Sequence, residues 1–227
     1  MANHLDLEEQ EQLDQLKHFW NRFGNLITWA LIVVLGSVAA WNGYNMWQRN
    51  QSVQAAAMYD EVEKVVRGGD LQKAERAFVD MRDRFSKAVY TQQAGLLVAK
   101  MAYEAGKMDS AKSTLSWLSD NAADKGYASV ARLRLSAVLI EGKAYDEALK
   151  LLGSGMAEEF AALADDRKGD IFTLQGKKAE AKAEYQKAYK AFDEQSEYRR
   201  LVSVKLNALG FDPEADAKIA ANNEVAK

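Results

Sequence analysis

The sequence predicts an all-α protein, with a single N-terminal transmembrane helix followed by a solenoid of about four helix pairs and a terminal capping helix. Three observations predict this. The 227 residues include one proline, which favours long helices over an all-β fold rich in turns. A run of 26 residues near the N-terminus carries no charge. In the remainder, a glycine followed shortly by an alanine recurs four times.

The composition excludes several kinds of functional site. The chain has no cysteine and two histidines, His4 and His18, so a disulfide framework, a thiolate nucleophile and a zinc cluster in the body are excluded. The 30 basic and 33 acidic side chains leave a net charge of −3. All of that excess lies in residues 1–22, and a neutral body argues against nucleic-acid binding.

Residues 1–22 are predicted to form a polar N-terminal segment, and residues 23–48 a transmembrane helix. About 20 apolar residues, each rising about 1.5 Å, cross the core of a bilayer. Aromatic side chains lie near both ends of the uncharged run, as in the belts that mark bilayer interfaces: Trp20, Phe23 and Trp29 at one end, and Trp41, Tyr44 and Trp47 at the other.

A buried core helix and a cleaved signal peptide are the two other interpretations of this run. A core helix seldom runs this long without a charge. Ser37-Val38-Ala39 offers small residues for cleavage, but the preceding segment is long and acidic where a short basic one is expected. A retained anchor is the preferred interpretation.

The charges that flank the span favour one orientation. Lys17 and Arg22 precede it closely, whereas Arg49 alone lies close behind it. The positive-inside rule therefore favours a cytoplasmic N-terminus. In a Gram-negative bacterium, the chain is then a single-pass inner-membrane protein with a periplasmic C-terminal domain.

Small residues share one face of the predicted span and could let another transmembrane helix approach closely: Gly36, Ala40 and Gly43. An apolar stripe just before the span fits either a helix in the membrane interface or the first turns of one continuous helix: Leu13, Leu16, Trp20 and Phe23.

Residues 49–210 are predicted to form a repeat domain. Strong helix formers dominate, and apolar residues recur at intervals of three and four. The alanines of the pattern are spaced by 37, 37 and 33 residues: Ala74, Ala111, Ala148 and Ala181. A glycine precedes each and is expected to end a helix with a positive φ: Gly69, Gly106, Gly142 and Gly176, the third with one extra residue before its alanine.

This spacing matches the tetratricopeptide pattern, in which helix pairs stack because no pair buries its apolar face alone. The alanine is expected where two helix backbones come closest, with a large residue such as Phe78 or Tyr185 four positions later. The fourth copy fits best: Gly169, Phe172, Gly176, Ala181, Tyr185 and Ala188. A non-repeating helical bundle is the alternative.

The end of the chain is predicted to contain a capping helix and a tail. Arg199–Leu206 carries the apolar pattern of a helix that covers the last repeat. Residues 211–227 are mostly polar and contain the one proline, which favours a disordered tail.

We find no catalytic, cofactor-binding or metal-binding set in the sequence. It contains neither a phosphate-binding P-loop nor a nucleophile elbow. Carboxylate pairs such as Asp165-Asp166 lie among lysines and arginines, which is typical of solvated helix faces. We therefore expect a protein that is not an enzyme and has no cofactor and no small-molecule substrate.

The predicted architecture does supply a groove. The first helices of stacked pairs line it, and such grooves suit extended or helical protein segments. Projection of those helix faces gives seven candidate partner-binding residues: Leu96, Lys100 and Tyr103 from the second copy, Leu133 and Ala137 from the third, and Asp166 and Asp170 from the fourth.

The whole arrangement resembles the YfgM-like family of ancillary SecYEG translocon subunits. Three stretches carry the resemblance, over roughly residues 15–210: Leu16-Lys17-His18-Phe19-Trp20 leading through Gly24 into the span, Trp41–Trp47 at its exit, and Asp165–Asp170 ahead of the fourth copy. The family has one span and a periplasmic tetratricopeptide-like domain, and it has no known active site.

The resemblance implies a membrane-anchored interaction scaffold near the Sec translocon. Its implied partners are SecYEG, a membrane-anchored chaperone similar to PpiD, and unfolded or secretory client proteins that it helps pass to periplasmic chaperones. A different interpretation is a structural assembly factor for another envelope complex, such as outer-membrane or pilus machinery, because repeat solenoids also serve there.

Overall fold

A computed structural model describes residues 7–213 of the chain, with side-chain environments from residue 11 onward. The described part is helical and contains no strand, which confirms the all-α prediction. It comprises nine α-helices, with one short 3₁₀ turn at Glu158–Phe160 between the sixth and the seventh: α1 (Leu7–Arg67), α2 (Leu71–Phe85), α3 (Val89–Glu104), α4 (Met108–Asn121), α5 (Lys125–Glu141), α6 (Tyr145–Leu152), α7 (Ala161–Leu174), α8 (Lys178–Ala191) and α9 (Glu197–Ala208).

The N-terminal compact unit comprises residues 1–51. Helix α1 runs through its described part without a break, so the apolar stripe before the span belongs to the first turns of one continuous helix. This helix is long and apolar enough to cross a membrane, and its apolar stretch is almost entirely exposed. The boundaries 1–22 and 23–48 stay predictions, and residues 1–6 lie outside the described part.

The second unit comprises residues 52–227. Its described helices follow the predicted pairing: the end of α1 with α2, α3 with α4, α5 with α6, and α7 with α8, followed by α9. Side-chain caps begin several of these helices, because an oxygen there accepts a backbone N–H that the helix leaves unpaired. Asp70 accepts from the N–H of Lys73 at 3.0 Å, and Asp124 from that of Tyr127 at 3.0 Å.

The repeated alanines lie at the points of closest helix packing. Each is fully buried in the second helix of its pair, as the spacing predicts: Ala74, Ala111, Ala148 and Ala181. The residue four positions later is large and buried in every pair: Phe78, Leu115, Leu152 and Tyr185. The positions that recur in the sequence repeat are therefore the positions that are buried in the core.

One detail of the turns differs from the prediction. Gly69, Gly106 and Gly176 have positive φ as expected, but Gly142 has φ −75° and Lys143 takes the left-handed conformation at φ 58°. The third copy has no extra residue in its turn. Lys143 stands five residues before Ala148, where the other copies have glycine, and the hydrogen bonds of the turn hold it there.

Those hydrogen bonds are the same in all four pairs. In the third copy, the N–H of Lys143 donates to the carbonyl of Ile140 at 2.9 Å, and that of Ala144 to the carbonyl of Leu139 at 2.8 Å. This pair of bonds satisfies the last carbonyls of a helix and requires the first of its two consecutive donors to be left-handed. The equivalent donors in the other copies are Gly69 and Asp70, Gly106 and Lys107, and Gly176 and Lys177.

Helix α9 (Glu197–Ala208) includes the predicted capping segment Arg199–Leu206. Val202 and Leu206 are fully buried and pack with Ala181, Tyr185 and Ala188 of α8. Of the predicted tail 211–227, the structure describes residues 211–213. Residues 214–227 lie outside the described part, so the disordered tail stays a prediction.

Candidate partner-binding groove

Six of the seven predicted groove residues, all except Tyr103, occupy equivalent positions on successive first helices. Leu96, Leu133 and Asp166 each stand 15 residues before the alanine of their own pair, in α3, α5 and α7. Lys100, Ala137 and Asp170 each stand 11 residues before it. Because the pairs stack in register, these positions form two parallel rows across neighbouring helices.

A cleft opens along these rows between α3 and α5. Its volume is about 240 Å³, and it brings together three of the predicted residues, Lys100, Tyr103 and Ala137. The remaining walls come from four residues that the sequence analysis did not select: Ala99, Leu115, Arg134 and Val138. Ala99, Leu115 and Val138 are buried core residues, so the cleft has an apolar floor.

Polar groups form the rim of the cleft. The Tyr103 hydroxyl donates to a Glu141 carboxylate oxygen at 2.8 Å, and this hydrogen bond raises the pKa of Tyr103. A guanidinium nitrogen of Arg134 donates to the carbonyl of Leu96 at 3.3 Å. The ammonium of Lys100 lies 3.7 Å from Glu104. The rim therefore carries two cations, Lys100 and Arg134, and two carboxylates, Glu104 and Glu141.

Leu96 and Leu133 are half-buried. Both pack against the central core, which contains Leu118, Leu135 and Ile171. Their side chains support the walls of the groove and present only part of their surface.

Asp166 and Asp170 face another helix of the same chain. The Lys205 ammonium of α9 donates to both Asp166 oxygens, at 2.7 and 2.9 Å, and to one Asp170 oxygen at 2.7 Å. The Tyr185 hydroxyl donates to the same Asp170 oxygen at 2.8 Å. In this structure their oxygens accept hydrogen bonds from the Lys205 ammonium. A contact of these aspartates with a partner protein stays a prediction.

Burial dominates the electrostatics of this cluster. It raises the pKa of Asp166, although the hydrogen bonds from Lys205 oppose the increase. It also raises the pKa of Tyr185, which therefore stays protonated and donates to Asp170. Desolvation disfavours a charged carboxylate or phenolate, and the nearby ammonium compensates in part.

The sequence analysis missed Arg134, Glu141 and Lys205. A signal for two of them exists in the register of the repeat. Tyr103 and Glu141, like Leu96 and Arg134, are 38 residues apart, and Lys205 lies 35 residues after Asp170. Side chains about one period apart on first helices become neighbours when the pairs stack, so a search for polar pairs at that separation would have selected Glu141 and Lys205 as candidates. Arg134 bonds a backbone carbonyl, and such a search would have missed it.

The small-residue face of α1 is open in the N-terminal unit. Gly36, Ala40 and Gly43 are exposed, and a Cβ built on either glycine meets no atom within 4 Å. The geometry leaves room for a second helix, and a packing role for this face stays a prediction. Among residues 11–213, no group of three or more His, Cys, Asp or Glu side chains could hold a metal ion.

Comparison with known proteins gives one consistent match. A family model described as a tetratricopeptide repeat-like domain matches residues 17–211. No solved structure matches the chain.

Relatives match the chain over most of its length. An ancillary SecYEG translocon subunit of Neisseria gonorrhoeae is 30% identical over 213 residues, which cover 92% of this chain and all of the relative. The protein with that name in Haemophilus influenzae is 30% identical over 205 residues, 89% of this chain and 98% of the relative. That of Escherichia coli is 24% identical over 204 residues, with coverage of 88% and 96%.

Proposed function

Because the chain belongs to the YfgM-like family, with its tetratricopeptide repeat-like domain, we propose that it is a membrane-anchored interaction scaffold associated with the SecYEG translocon. One observation carries the proposal. Relatives named as ancillary SecYEG translocon subunits align with both the apolar helix and the repeat domain, over about nine-tenths of this chain.

The apolar part of α1 supports the membrane-anchored half of the proposal. A single helix in the described part is long and apolar enough to span a bilayer, and Gly36 and Gly43 leave its face open to another helix. We propose that this face packs against a transmembrane helix of the translocon, where small residues permit close approach. Lys17 and Arg22 orient the N-terminus to the cytoplasm, which puts the repeat domain in the periplasm.

The cleft between α3 and α5 supports the interaction half. Its apolar floor and the cations Lys100 and Arg134 suit an extended segment of a client or a chaperone. We propose that clients emerging from the translocon bind there before they pass to periplasmic chaperones, with a PpiD-like membrane chaperone as a further partner. The role is binding rather than catalysis.

Site-specific photo-crosslinking in intact cells tests the two halves separately. A photoreactive residue at Lys100, whose side chain is 62% exposed, should crosslink to secretory chains or chaperones. The matched control is Lys187 on α8, whose side chain is 60% exposed and lies away from the cleft. Equal crosslinking from both positions, or none from Lys100, would refute binding in the cleft.

The anchor needs its own experiment. The protein is purified in a mild detergent, once intact and once with residues 1–48 replaced by an unrelated membrane anchor. Translocon subunits should co-purify with the intact chain and be lost from the chimera. Co-purification of outer-membrane or pilus machinery instead of the translocon would favour the assembly-factor interpretation.

A further inference from the structure

The cleft between α3 and α5 has a counterpart between α7 and α9. Equivalent positions are found by counting from the left-handed residue of each turn: Gly106, Lys143, Gly176 and Gly210. Three wall positions on α3 then correspond to three on α7: Ala99 to Gly169, Lys100 to Asp170, and Tyr103 to Thr173. The floor residue Leu115 corresponds to Tyr185, and Val138 on α5 corresponds to Lys205 on α9.

An aromatic ring of the chain itself fills the counterpart. The Tyr185 ring lies against Gly169, where it leaves no room for a Cβ. Its hydroxyl donates to Asp170 at 2.8 Å and lies 3.2 Å from the Thr173 hydroxyl. The Lys205 ammonium lies 5.3 Å from the centre of the ring. The side chain of Tyr185 therefore contacts the counterparts of four residues that line the cleft.

The cleft between α3 and α5 is open because its floor residue lacks a ring. Leu115 and Tyr185 are equally buried, each 3% exposed. The leucine has no atoms beyond its two Cδ methyl groups, whereas the tyrosine ring continues to a hydroxyl. Ala137, on the α5 wall, leaves further space, because the equivalent positions of other first helices carry larger side chains: Lys100, Asp170 and Val204.

The open space has the size and the surface of a pocket for an aromatic ring. Its volume of about 240 Å³ exceeds the roughly 150 Å³ of an apolar protein cavity that binds benzene. Ala99, Leu115 and Val138 form a buried apolar floor. A ring that enters from the groove loses water and packs on this floor, which stabilises the contact.

The rim of the cleft favours an uncharged ring over a charged side chain. Lys100 and Arg134 supply cations, and a cation is attracted to the face of a ring. Glu104 and Glu141 lie at the same rim, and the edge of a ring is its positive part. A charged side chain of either sign would meet like charge there, whereas an aromatic ring is complementary to both.

We propose that the cleft between α3 and α5 binds one aromatic side chain of a partner segment, in the place that Tyr185 takes within the chain at the counterpart. The inference rests on the proposed function, because the segment belongs to a client or a chaperone that enters the groove. It adds the chemistry by which the segment is selected. Aromatic side chains are largely buried in folded proteins, so this pocket selects chains that have not yet folded.

Photo-crosslinking of defined peptides to the full chain in a mild detergent tests the inference. A photoreactive residue at Glu104 reports the capture of short Gly-Ser peptides that carry one central Phe or, as the matched control, one central Leu. The Phe peptide should crosslink about two- to fivefold more, because both side chains bury apolar surface but only the ring attracts the cations. Equal crosslinking of the two peptides would overturn the inference.

Filling the cleft within the chain should remove the preference for Phe. Ala99→Gly with Leu115→Tyr copies the arrangement of Gly169 and Tyr185. Ala137→Leu narrows the cleft from the α5 wall, at a position that is half-buried and therefore tolerates a larger side chain if the double variant does not fold. Circular dichroism checks the helix content of both variants. A preference for Phe that persists in a folded variant would contradict binding in the cleft.

The matched control variant is Ala183→Leu, which adds the same bulk at an exposed position of α8 outside the cleft. It should keep the preference for Phe, and loss of the preference there would also count against the inference.

The outcomes separate this inference from the proposed function. Crosslinking of secretory chains at Lys100 in cells, without a preference for the Phe peptide in the purified protein, would refute the aromatic pocket and leave the proposed function standing. A preference for the Phe peptide without any crosslink in cells would support the pocket and refute client binding in the groove.

Discussion

The ring of Tyr185 in α8 occupies the space into which a Cβ on Gly169 of α7 would project. The Tyr185 hydroxyl then reaches Asp170, one residue beyond that glycine. Tyr185 therefore makes two contacts with α7: its ring packs on Gly169, and its hydroxyl donates to the Asp170 carboxylate. Because residue 169 has no Cβ, the Tyr185 ring packs against α7 and its hydroxyl reaches the Asp170 carboxylate.

Gly169→Ala should destabilise the protein by about 1–2 kcal/mol. Alanine gains up to about 1 kcal/mol in helix propensity over glycine, but overpacking a filled core costs about 1–3 kcal/mol, so the clash prevails. Urea unfolding followed by circular dichroism measures the difference. Adding Tyr185→Leu removes the ring, and in that background Gly169→Ala should become neutral or stabilising; a persistent loss would contradict this explanation.

Lys143→Gly should stabilise the protein by about 0.5–1 kcal/mol. A left-handed conformation costs a non-glycine residue about 1–2 kcal/mol, and glycine avoids this cost. Glycine also raises the conformational entropy of the unfolded chain, which offsets part of the stabilisation. The matched control is Lys107→Gly, at the following position of the second turn, where φ is −89°. The control should show no gain, and equal effects at both positions would count against the conformational argument.

Lys205→Met should destabilise the protein by about 2–3 kcal/mol. It leaves Asp166, whose side chain is 12% exposed, without its cation, and breaking a buried ion pair costs about 3–5 kcal/mol when the site is fully enclosed. Lys100→Met removes the lysine of an ion pair in which both side chains are exposed, 62% and 63%, and should change the free energy of unfolding by less than about 0.5 kcal/mol. Similar values for the two variants would show that the cluster is not stabilising.

Asp166→Asn should flatten part of the pH dependence of stability. Burial raises the pKa of Asp166 in the folded protein, so the folded state holds that proton more tightly than the unfolded state does. The resulting stabilisation is complete below the unfolded pKa of about 3.9 and is lost as the pH rises through the raised folded pKa. Unfolding free energies measured upward from pH of about 3.5 should fall less in the variant, and parallel curves would contradict this assignment.

Reversal of the cleft charges should weaken partner capture without unfolding the domain. Lys100 and Arg134 lie at the rim, and replacing both by glutamate should lower photo-crosslinking from Tyr103 about tenfold, which corresponds to about 1.4 kcal/mol. The control for net charge is the double variant Lys125→Glu with Lys178→Glu, which changes two exposed lysines outside the cleft. Unchanged crosslinking in the reversed variant, with an unchanged melting temperature, would remove the cleft from the proposed interaction surface.

The amino-acid sequence was sufficient for the helical class, the long apolar N-terminal helix, the paired repeats and their buried alanines. These features depend on short-range patterns. Apolar residues recur with the helical period of about 3.6 residues, and the turn between paired helices recurs at a regular interval, so both can be recognised in the sequence. The register alone was also sufficient to place the equivalent positions of the first helices in two rows, and partner binding along those rows stays a prediction.

Only the tertiary structure decided which polar groups meet. Lys205 lies 39 residues from Asp166, and Glu141 lies 38 residues from Tyr103; each pair forms because stacked helices place distant segments a hydrogen bond apart. The left-handed Lys143 belongs here too, because the two hydrogen bonds of its turn outweigh the local preference of lysine for negative φ. Local patterns specify helices and register, whereas packing decides which side chains lose water and which partners compensate for it.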